Sequence, residues 1–373
     1  MVILLVLWVC ASARLLGLMQ LSIHGERVPE TQFPWALPEE RPAGDLTEVG
    51  EEQQKAHGLA LRGNYSLLFG EMYSPHQVYA RSTENPSALH SLQLQLASIY
   101  PASSSPFSIH TFTDDQETFL LPHLSCLRIP HLMKRDQLVS ARHMELLDKI
   151  AALEPELRKY VPALDIWTVY NLSQVVVNYA ERGRERSFGT EVEDLAVLVH
   201  DHVHFNLLYG DRQQHKLGMT PLLLNTIQRF HSLLQGEFIS PIALFTGPDL
   251  SLIPFLRGLD IEEIPGPGAF LTIELWAEEE KAVLSVKYNG EEVTLQRCES
   301  PCTLEEFEKG YEKRMYQDEE KWYTKCNKLN PEKPWPWKRI GLYAFAFGSM
   351  LLLVKLKEKL VSRFVQMFKK KAE

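Results

Sequence analysis

Short apolar runs of strand length alternate with amphipathic helical segments, and this alternation constrains the fold more than any other feature of the sequence. The apolar run 15–23 is followed by a helical pattern over 46–65. A second strand at 77–80 and a helix at 86–100 repeat this order, and we predict a third strand at 107–112. Strands that alternate with helices in this way indicate an α/β sheet with helices packed on its faces.

The middle of the chain is mostly helical, and strand patterns return after it. We therefore predict a mixed sheet flanked by helices, built from residues 14–125 and 237–330, with a mainly helical insert at 126–236. Within the second part of the sheet domain we expect a strand at 239–247, a helix at 250–259, antiparallel strands at 270–276 and 282–288, and a helix at 303–314.

The charge balance argues against a nucleic-acid partner. The 373 residues carry 48 acidic and 39 basic side chains, a formal net charge of −9. A phosphate backbone needs a basic face, so we expect no nucleic-acid binding by the body of the protein. The last residues differ, because 355–373 contain mostly lysine and arginine among their charged side chains.

The N-terminus and two sequons favour the secretory pathway. Residues 1–13 contain a short apolar stretch followed by Ala-Ser-Ala, which is typical of a signal peptide and its cleavage site. A buried strand beginning here is the alternative. Asn64 and Asn171 each begin an Asn-x-Ser sequon, and both are candidate glycosylation sites.

The C-terminus predicts a membrane helix followed by a basic tail. Residues 340–356 are almost entirely apolar, with tryptophans before them and lysines after them, and 357–373 form the tail. Lysine snorkelling and interfacial tryptophans would let this short segment span a bilayer as a single-pass type I anchor with a lumenal body. An amphipathic helix that lies on the bilayer surface or on the protein is the alternative.

The number of cysteines is also typical of a protein of the secretory pathway. Cys10 would leave with the signal peptide, and Cys126, Cys298, Cys302 and Cys326 remain. Four cysteines in a secreted protein indicate two disulfides, and spacing alone leaves three pairings open. The Cys298-x-x-x-Cys302 spacing lacks the partner motif that a zinc site would require.

Polar side chains of a useful kind follow three of the predicted strands. His24 and Arg27 follow the first strand, Arg81 the second, and Asp249 the strand at 239–247. If these strands are parallel neighbours, the four side chains meet beyond their carboxyl ends. An imidazole, two guanidinium groups and a carboxylic acid would then suit phosphoryl transfer. Each residue taken singly also has an ordinary structural explanation, such as helix capping by Asp249.

Several motifs resemble the histidine acid phosphatases of the prostatic and lysosomal type, over about residues 15–326. His24-Gly25-Glu26-Arg27-Val28-Pro29 is similar to most of that family's R-H-G-x-R-x-P signature, and LTEVGEEQQKAHGLALRGNY to the helix after it. VYARST, FTGPDLSLIPFLRGL and CESPC resemble three further family segments in the right order.

The resemblance implies a phosphoglycerate-mutase-like α/β fold and hydrolysis of phosphate monoesters without a metal or other cofactor. It implies that His24 is the phosphorylated nucleophile, that Arg27 and Arg81 bind the phosphate, and that Asp249 protonates the leaving alcohol. It also implies disulfides between Cys126 and Cys326 and between Cys298 and Cys302. Related proteins dimerise, so a homodimer is one assembly to consider.

Two positions depart from the family pattern at the predicted site. Ile23 stands where the family has arginine, and Pro248 stands where it has histidine. Isoleucine donates no hydrogen bond, and proline lacks even a backbone N–H. The sequence therefore leaves two hypotheses open: a phosphomonoesterase of low activity, or an inactive pseudophosphatase that binds a ligand.

A run of alternating histidines, HDHVH at 200–204, raises the question of a metal site. On a strand these histidines would share one face. The segment has a helical pattern, however, and positions two apart on a helix diverge. We therefore predict no metal site here.

Overall fold

A computed structural model describes residues 13–37, 39, 41–183, 188–207, 209–279 and 281–328. Residues 1–12 of the predicted signal peptide, the predicted membrane segment 340–356 and the basic tail lie outside the described residues. None of the helices in the described ranges combines the length and the apolarity needed to cross a membrane.

A six-stranded mixed sheet organises the protein. Its strands are β1 (Arg14–Ile23), β2 (Val78–Ser82), β3 (Ile242–Gly247), β4 (Phe270–Glu278), β5 (Lys281–Tyr288) and β6 (Glu291–Glu292). Their order is β2-β3-β1-β4-β5-β6. The first three strands in this order run parallel, and β4, β5 and β6 continue the sheet in antiparallel fashion. This is the mixed α/β architecture that the sequence pattern predicts.

Helices cover the sheet and build a separate cluster beside it. They are α1 (Glu48–Asn64), α2 (Pro86–Ile99), α3 (Pro122–Ser125), α4 (Arg128–Val139), α5 (Ala141–Ala152), α6 (Glu154–Leu157), α7 (Ile166–Glu181), α8 (Thr190–His202), α9 (Arg212–Leu234), α10 (Asp249–Gly258), α11 (Leu304–Tyr311) and α12 (Glu319–Asn327). A short π-helical turn, Val203–Leu207, follows α8. Within the described residues, only helices separate α2 from β3.

The alternation of side chains along β1 divides the core between two faces. Met19 and Leu21 pack with α9, α10 and α11 on one face of the sheet. Leu18 packs with β2, α1 and α2 on the other face. Successive strand residues point to opposite faces, so a strand covered on both sides is apolar nearly throughout. A third apolar cluster holds α4, α5, α7 and α8 together.

The strand that we predicted at 107–112 is wrong. Only His110 pairs there, through one isolated bridge to Arg81 beside the edge strand β2. Most side chains of this segment are exposed, so its alternating pattern does not reflect a buried face. The edge of the sheet is therefore β2, with a loop beside it.

Candidate active site

The ends of two parallel strands bring the predicted nucleophile and the predicted acid together. In the register of β1 and β3, Ile23 lies beside Gly247. The backbone N–H of His24 donates to the carbonyl of Gly247 at 3.1 Å, and Asp249 begins α10 two residues later. Both side chains therefore leave the sheet at its carboxyl edge, where α/β proteins bind their ligands.

A cavity of about 630 Å³ opens at this edge. His24, Arg27 and Asp249 line it. Among the described residues of its lining, Arg27 is the single arginine or lysine, against five carboxylates: Glu26, Glu30, Asp114, Asp201 and Asp249. The remaining wall consists of apolar residues, four histidines and uncharged polar residues such as Thr83, Asn85 and Asn171. Within this described lining, one cationic side chain is present to pair with a phosphoryl group.

The imidazole of His24 is fixed in the tautomer that a nucleophile needs. Its Nδ1 atom lies 2.8 Å from the carbonyl oxygen of Gly25, so Nδ1 carries the proton and donates it. Nε2 has no hydrogen-bond partner among the described residues and keeps its lone pair. Burial has the largest effect on the pKa of His24, and the charge of Arg27 lowers it further. The carbonyl of Gly25 and the charges of Asp249 and Glu30 act in the opposite direction, and the resulting pKa is about 4. The ring is therefore neutral at mildly acidic pH.

The loop that carries His24 is anchored to the first turn of α1. Thr47 caps this helix by accepting from the N–H of Gly50, and its hydroxyl donates to the carboxylate of Glu26 at 2.7 Å. The N–H of Glu26 donates to Gln53 at 2.9 Å. A Cβ atom on Gly25 would lie 2.4 Å from the carbonyl oxygen of Gly50, so glycine is required for this close approach.

Arg27 lies at the cavity but is already paired. Its guanidinium forms an ion pair with Glu30, whose side chain is 59% exposed. The backbone carbonyl of Arg27 accepts a hydrogen bond from Asn178 at 3.1 Å, which ties the loop to α7. Exposed pairs of this kind are weak, so an arriving phosphate could displace the carboxylate of Glu30.

Asp249 sits among groups that favour its charged form. Burial acts to raise the pKa of Asp249, but His204, His24, the N–H of Leu250 and Arg27 together outweigh it, and the pKa lies below its usual range. Its Oδ1 atom accepts from the N–H of Leu250 at 2.8 Å. Asp249 is therefore a carboxylate in the unliganded protein except under strongly acidic conditions.

The chain is similar to known acid phosphatases in sequence and to known phytases in fold. No family model matches the chain. It is 31% identical to a lysosomal acid phosphatase of Xenopus laevis over 111 residues, 26% of each chain. It is 30% identical to testicular acid phosphatase of Homo sapiens over 141 residues, 34% of this chain and 33% of the relative. The alignments to these relatives thus span only a quarter to a third of their length.

Longer matches extend the likeness across most of the described chain. Prostatic acid phosphatase of Mus musculus is 24% identical over 337 residues, 81% of this chain and 86% of the relative. The fold matches a Hafnia alvei phytase solved with myo-inositol hexakis sulphate, with a TM-score of 0.62 at 15% identity over 82% of this chain and 98% of the other. A phytase from D. castellii gives a TM-score of 0.61 at 16% identity over 86% and 83%.

The chain thus resembles acid phosphatases in sequence and phytases in fold. The two departures from the signature of the histidine acid phosphatases, Ile23 and Pro248, both line the cavity. Ile23 is 2% exposed and also packs in the core. Pro248 precedes α10 and offers the helix no side-chain hydrogen bond. The cavity wall therefore carries an apolar side chain and a proline ring where the family has two cationic hydrogen-bond donors.

Arg81, the other predicted phosphate ligand, is not among the cavity lining. Its Nε and Nη2 atoms donate to both carboxylate oxygens of the fully buried Glu117, at 2.9 and 2.7 Å. The rings of Phe112 and Phe119 each lie 4.2 Å from its guanidinium carbon. A role for Arg81 in phosphate binding would require Glu117 to release it, so this prediction gains no support from the observed geometry.

Sequence reasoning missed two histidines that line the cavity. His200 on α8 and His204 on the π-helical turn both face it, with ring centroids 4.3 Å apart, and Tyr170 of α7 packs against them. His202, between them, points elsewhere and lies 3.3 Å from His143. Side chains two positions apart on a helix diverge, but side chains four positions apart share a face. The spacing of four between His200 and His204 could therefore have identified this pair from the sequence.

The part of the chain that the structure describes contains no group of three or more His, Cys, Asp or Glu side chains able to hold a metal ion. His200 and His204 have Tyr170 and Asp249 as neighbours instead. Burial, and next the charge of His204, lower the pKa of His200 to about 4. Burial also lowers the pKa of His123, on another wall of the cavity, to about 4.

Both disulfides that the family resemblance implies are present. Cys126 is bonded to Cys326, 200 residues later, and Cys298 to Cys302. The candidate glycosylation sites differ in position, since Asn64 is exposed at the end of α1 whereas Asn171 on α7 lines the cavity. Glycosylation at either asparagine stays a prediction, and a glycan on Asn171 would enter the cavity.

Proposed function

We propose that this protein is a phosphomonoesterase that converts a phosphate monoester and water into an alcohol and phosphate through a phosphohistidine at His24. The observation that carries the proposal is the hydrogen bond from Nδ1 of His24 to the carbonyl of Gly25. It directs the lone pair of a neutral, buried imidazole to Nε2, with Arg27 and Asp249 lining the same cavity.

The reaction has two halves. In the first, Nε2 of His24 attacks phosphorus in line, the bond from phosphorus to the alcohol oxygen breaks, and the carboxylic acid of Asp249 gives its proton to that oxygen. In the second half, water attacks the phosphohistidine, the N–P bond breaks, and Asp249 takes one proton from the water.

Substrate binding would prepare Asp249 for the first half. The phosphoryl group of a bound monoester carries negative charge, and a like charge beside a carboxylate raises the pKa of that carboxylate. Asp249 would therefore gain its proton on substrate binding at acidic pH. The pKa of His24, lowered to about 4, keeps the nucleophile neutral in the same pH range.

The activity would be low for this fold. Each missing donor, at Ile23 and at Pro248, costs about 10²–10³ in rate by comparison with the loss of one preorganised hydrogen bond. Enzymes that hydrolyse phosphate monoesters start from very large rate accelerations, so the retained imidazole, acid and guanidinium still give measurable turnover.

The rival proposal is a pseudophosphatase, a binding protein of this fold without turnover. Two observations favour this rival: Arg81 is paired with Glu117, and carboxylates outnumber Arg27 around the cavity. Both weaken the binding of a phosphate. Such a protein would bind inorganic phosphate or a phosphorylated ligand in the same cavity.

Hydrolysis of p-nitrophenyl phosphate by the full chain at pH 4–6 tests the two proposals. We expect slow turnover that His24→Ala reduces to background, whereas the matched control His76→Ala, an exposed histidine, leaves it unchanged. An alkaline quench should trap a labelled phosphohistidine, because this bond is stable in base. Equal background rates in wild type and His24→Ala would refute the enzyme, and phosphate binding by calorimetry would then support the rival.

We propose a secretory location with the body in the lumen or outside the cell. The two disulfides support it, since such bonds form and persist in oxidising compartments. The predicted signal peptide 1–13 and type I anchor 340–356 complete this proposal. Deleting residues from 340 onward should release the protein from membranes in a fractionation experiment.

A further inference from the structure

The cavity wall beside Asp249 carries an imidazole that the reaction above does not involve. His204 is 3% exposed. Its Nε2 atom lies 3.5 Å from Oδ2 of Asp249 and 3.0 Å from the hydroxyl oxygen of Tyr170. A side chain so buried and so close to a carboxylate strongly influences both the orientation and the charge of that carboxylate.

The backbone around His204 departs from a regular α-helix. The residue lies on the π-helical turn Val203–Leu207 after α8, and such turns are frequent at functional sites. Its Nδ1 atom is buried and has no hydrogen-bond partner within the described residues. With the proton on Nε2, this Nδ1 atom is the acceptor nitrogen of a neutral imidazole.

The position also compensates for a family departure. Pro248, directly before Asp249, has replaced the family's histidine and donates nothing. His204 comes from a different element and approaches the same carboxylate. The imidazole that the strand end lacks is therefore supplied beside Asp249 by the helical part of the protein.

We propose that His204, oriented by Tyr170, is a positioning residue whose Nε2–H is shared between the carboxylate of Asp249 and the hydroxyl oxygen of Tyr170, which accepts at this nitrogen. This inference rests on the phosphomonoesterase reaction proposed above. When Asp249 has protonated the leaving alcohol, its carboxylate accepts this hydrogen bond and is held facing the phosphohistidine. The proton that Asp249 later takes comes from the attacking water, and none leaves His204.

Titratable and charged groups face the pair from several elements packed around it. Those that act on Asp249 from the strand end, the following loop and α3 are His24, Arg27 and His123. Those beside His204 on α7 and α8 are Tyr170, His200 and Asp201. A small void behind His204 is also lined by Arg257 and Glu263. Of the neighbours that lower the pKa of Asp249, His204 has the largest effect.

Substitution of His204 should therefore change the pH dependence and kcat rather than KM. In His204→Leu we expect kcat to fall roughly 10- to 100-fold, as for loss of one hydrogen bond to a charged group, with KM nearly unchanged. The pH profile should move to higher pH, because the pKa of Asp249 rises without its neighbour. His204→Gln, which keeps an N–H donor, should recover part of kcat, and Tyr170→Phe should lose less than His204→Leu.

The control is His202→Leu, which removes a buried imidazole from the same segment on the face turned to His143. The full chain would be assayed with p-nitrophenyl phosphate, and the carboxyl of Asp249 titrated by ¹³C NMR. The same kcat and pH profile in His204→Leu and His202→Leu would overturn the proposal. If His204→Leu does not fold, the kinetics of Tyr170→Phe and His204→Gln test the proposal instead. Wild-type kinetics in both of these variants would overturn the proposal.

The titration separates this inference from the proposed function. If wild-type hydrolysis proves independent of His24, the phosphomonoesterase proposal fails. The pKa of Asp249 can still be compared between wild type and His204→Leu. An unchanged pKa would overturn the pairing of His204 with Asp249, and a raised pKa would support it, whatever the turnover.

Discussion

The contact between Gly25 and the first turn of α1 makes a quantitative prediction about both stability and activity. In Gly25→Ala the new Cβ atom would lie 2.4 Å from the carbonyl oxygen of Gly50, whereas ordinary contacts begin at 3.4 Å. The loop must therefore shift by about 1 Å, since the opposing atoms belong to backbone. Overpacking of this kind typically costs about 1–3 kcal/mol of the free energy of unfolding.

The same shift moves the hydrogen bond that fixes the imidazole of His24, the proposed nucleophile. The carbonyl of Gly25 accepts from Nδ1 of His24 at 2.8 Å, so its displacement rotates the imidazole. Misplacing a reacting group by about 1 Å can lower the rate roughly 10²-fold. We therefore expect Gly25→Ala to lose activity beyond what its loss of stability explains.

Gly63→Ala is the matched control, because it adds the same methyl group to α1 at a glycine with nothing within 4 Å of the new atom. We expect it to stabilise the protein by about 0.5–1 kcal/mol and to keep its activity. Urea unfolding and p-nitrophenyl phosphate hydrolysis measure both effects. A Gly25→Ala variant as stable and active as Gly63→Ala would refute the reasoning.

Three further predictions concern charge, pH and covalent structure. Glu30→Gln should lower KM up to about fivefold at low salt, because it frees Arg27 and exposed ion pairs are worth at most about 1 kcal/mol. The control Glu145→Gln, in another i,i+3 pair with arginine, should leave KM unchanged. Equal KM values for the two variants in steady-state kinetics would contradict this prediction. Because burial, followed by a neighbouring arginine, lowers the pKa of His24 to about 4, its imidazole stays neutral down to that pH. The acid limb of kcat/KM should lie near pH 4, and a limb near the ordinary histidine value of about 6.5 would argue against it. The disulfides of Cys126 and Cys298 close loops of 200 and 4 residues. Because loop-closure entropy grows with loop length, Cys126→Ser should lower the free energy of unfolding by about 5 kcal/mol and Cys298→Ser by about 2 kcal/mol. Equal losses in urea unfolding would contradict this prediction.

The two departures from the family signature affect different parts of the site. Ile23 provides no donor beside the proposed nucleophile, and within the described lining Arg27 is the one guanidinium that could bind a phosphate. Pro248 removes a donor beside the acid, where His204 now lies. The nucleophile side thus shows the less compensated loss. Ile23→Arg would add a buried charge to a side chain that packs in the core, so its gain in phosphate binding competes with a cost in stability.

The sequence by itself determined the elements that carry the proposed nucleophile and the proposed acid. The apolar run that became β1 ends at His24, and the run that became β3 ends at Gly247, two residues before Asp249. Such strands can be recognised in the sequence because a strand covered on both faces is apolar throughout. The parallel pairing of β1 with β3 was only a condition in the sequence argument, and the structure supplies it.

Tertiary structure alone decided which other side chains reach the cavity. Arg81 follows its strand as expected, but it pairs with Glu117, 36 residues further on in a segment without a recognisable pattern. The spacing of four places His200 and His204 on one face, but the packing of α8 against α7 decides that this face lines the cavity. Ion pairs between distant segments, and the choice of the helix face that lines a cavity, depend on packing across the whole molecule, and no local run of residues encodes them.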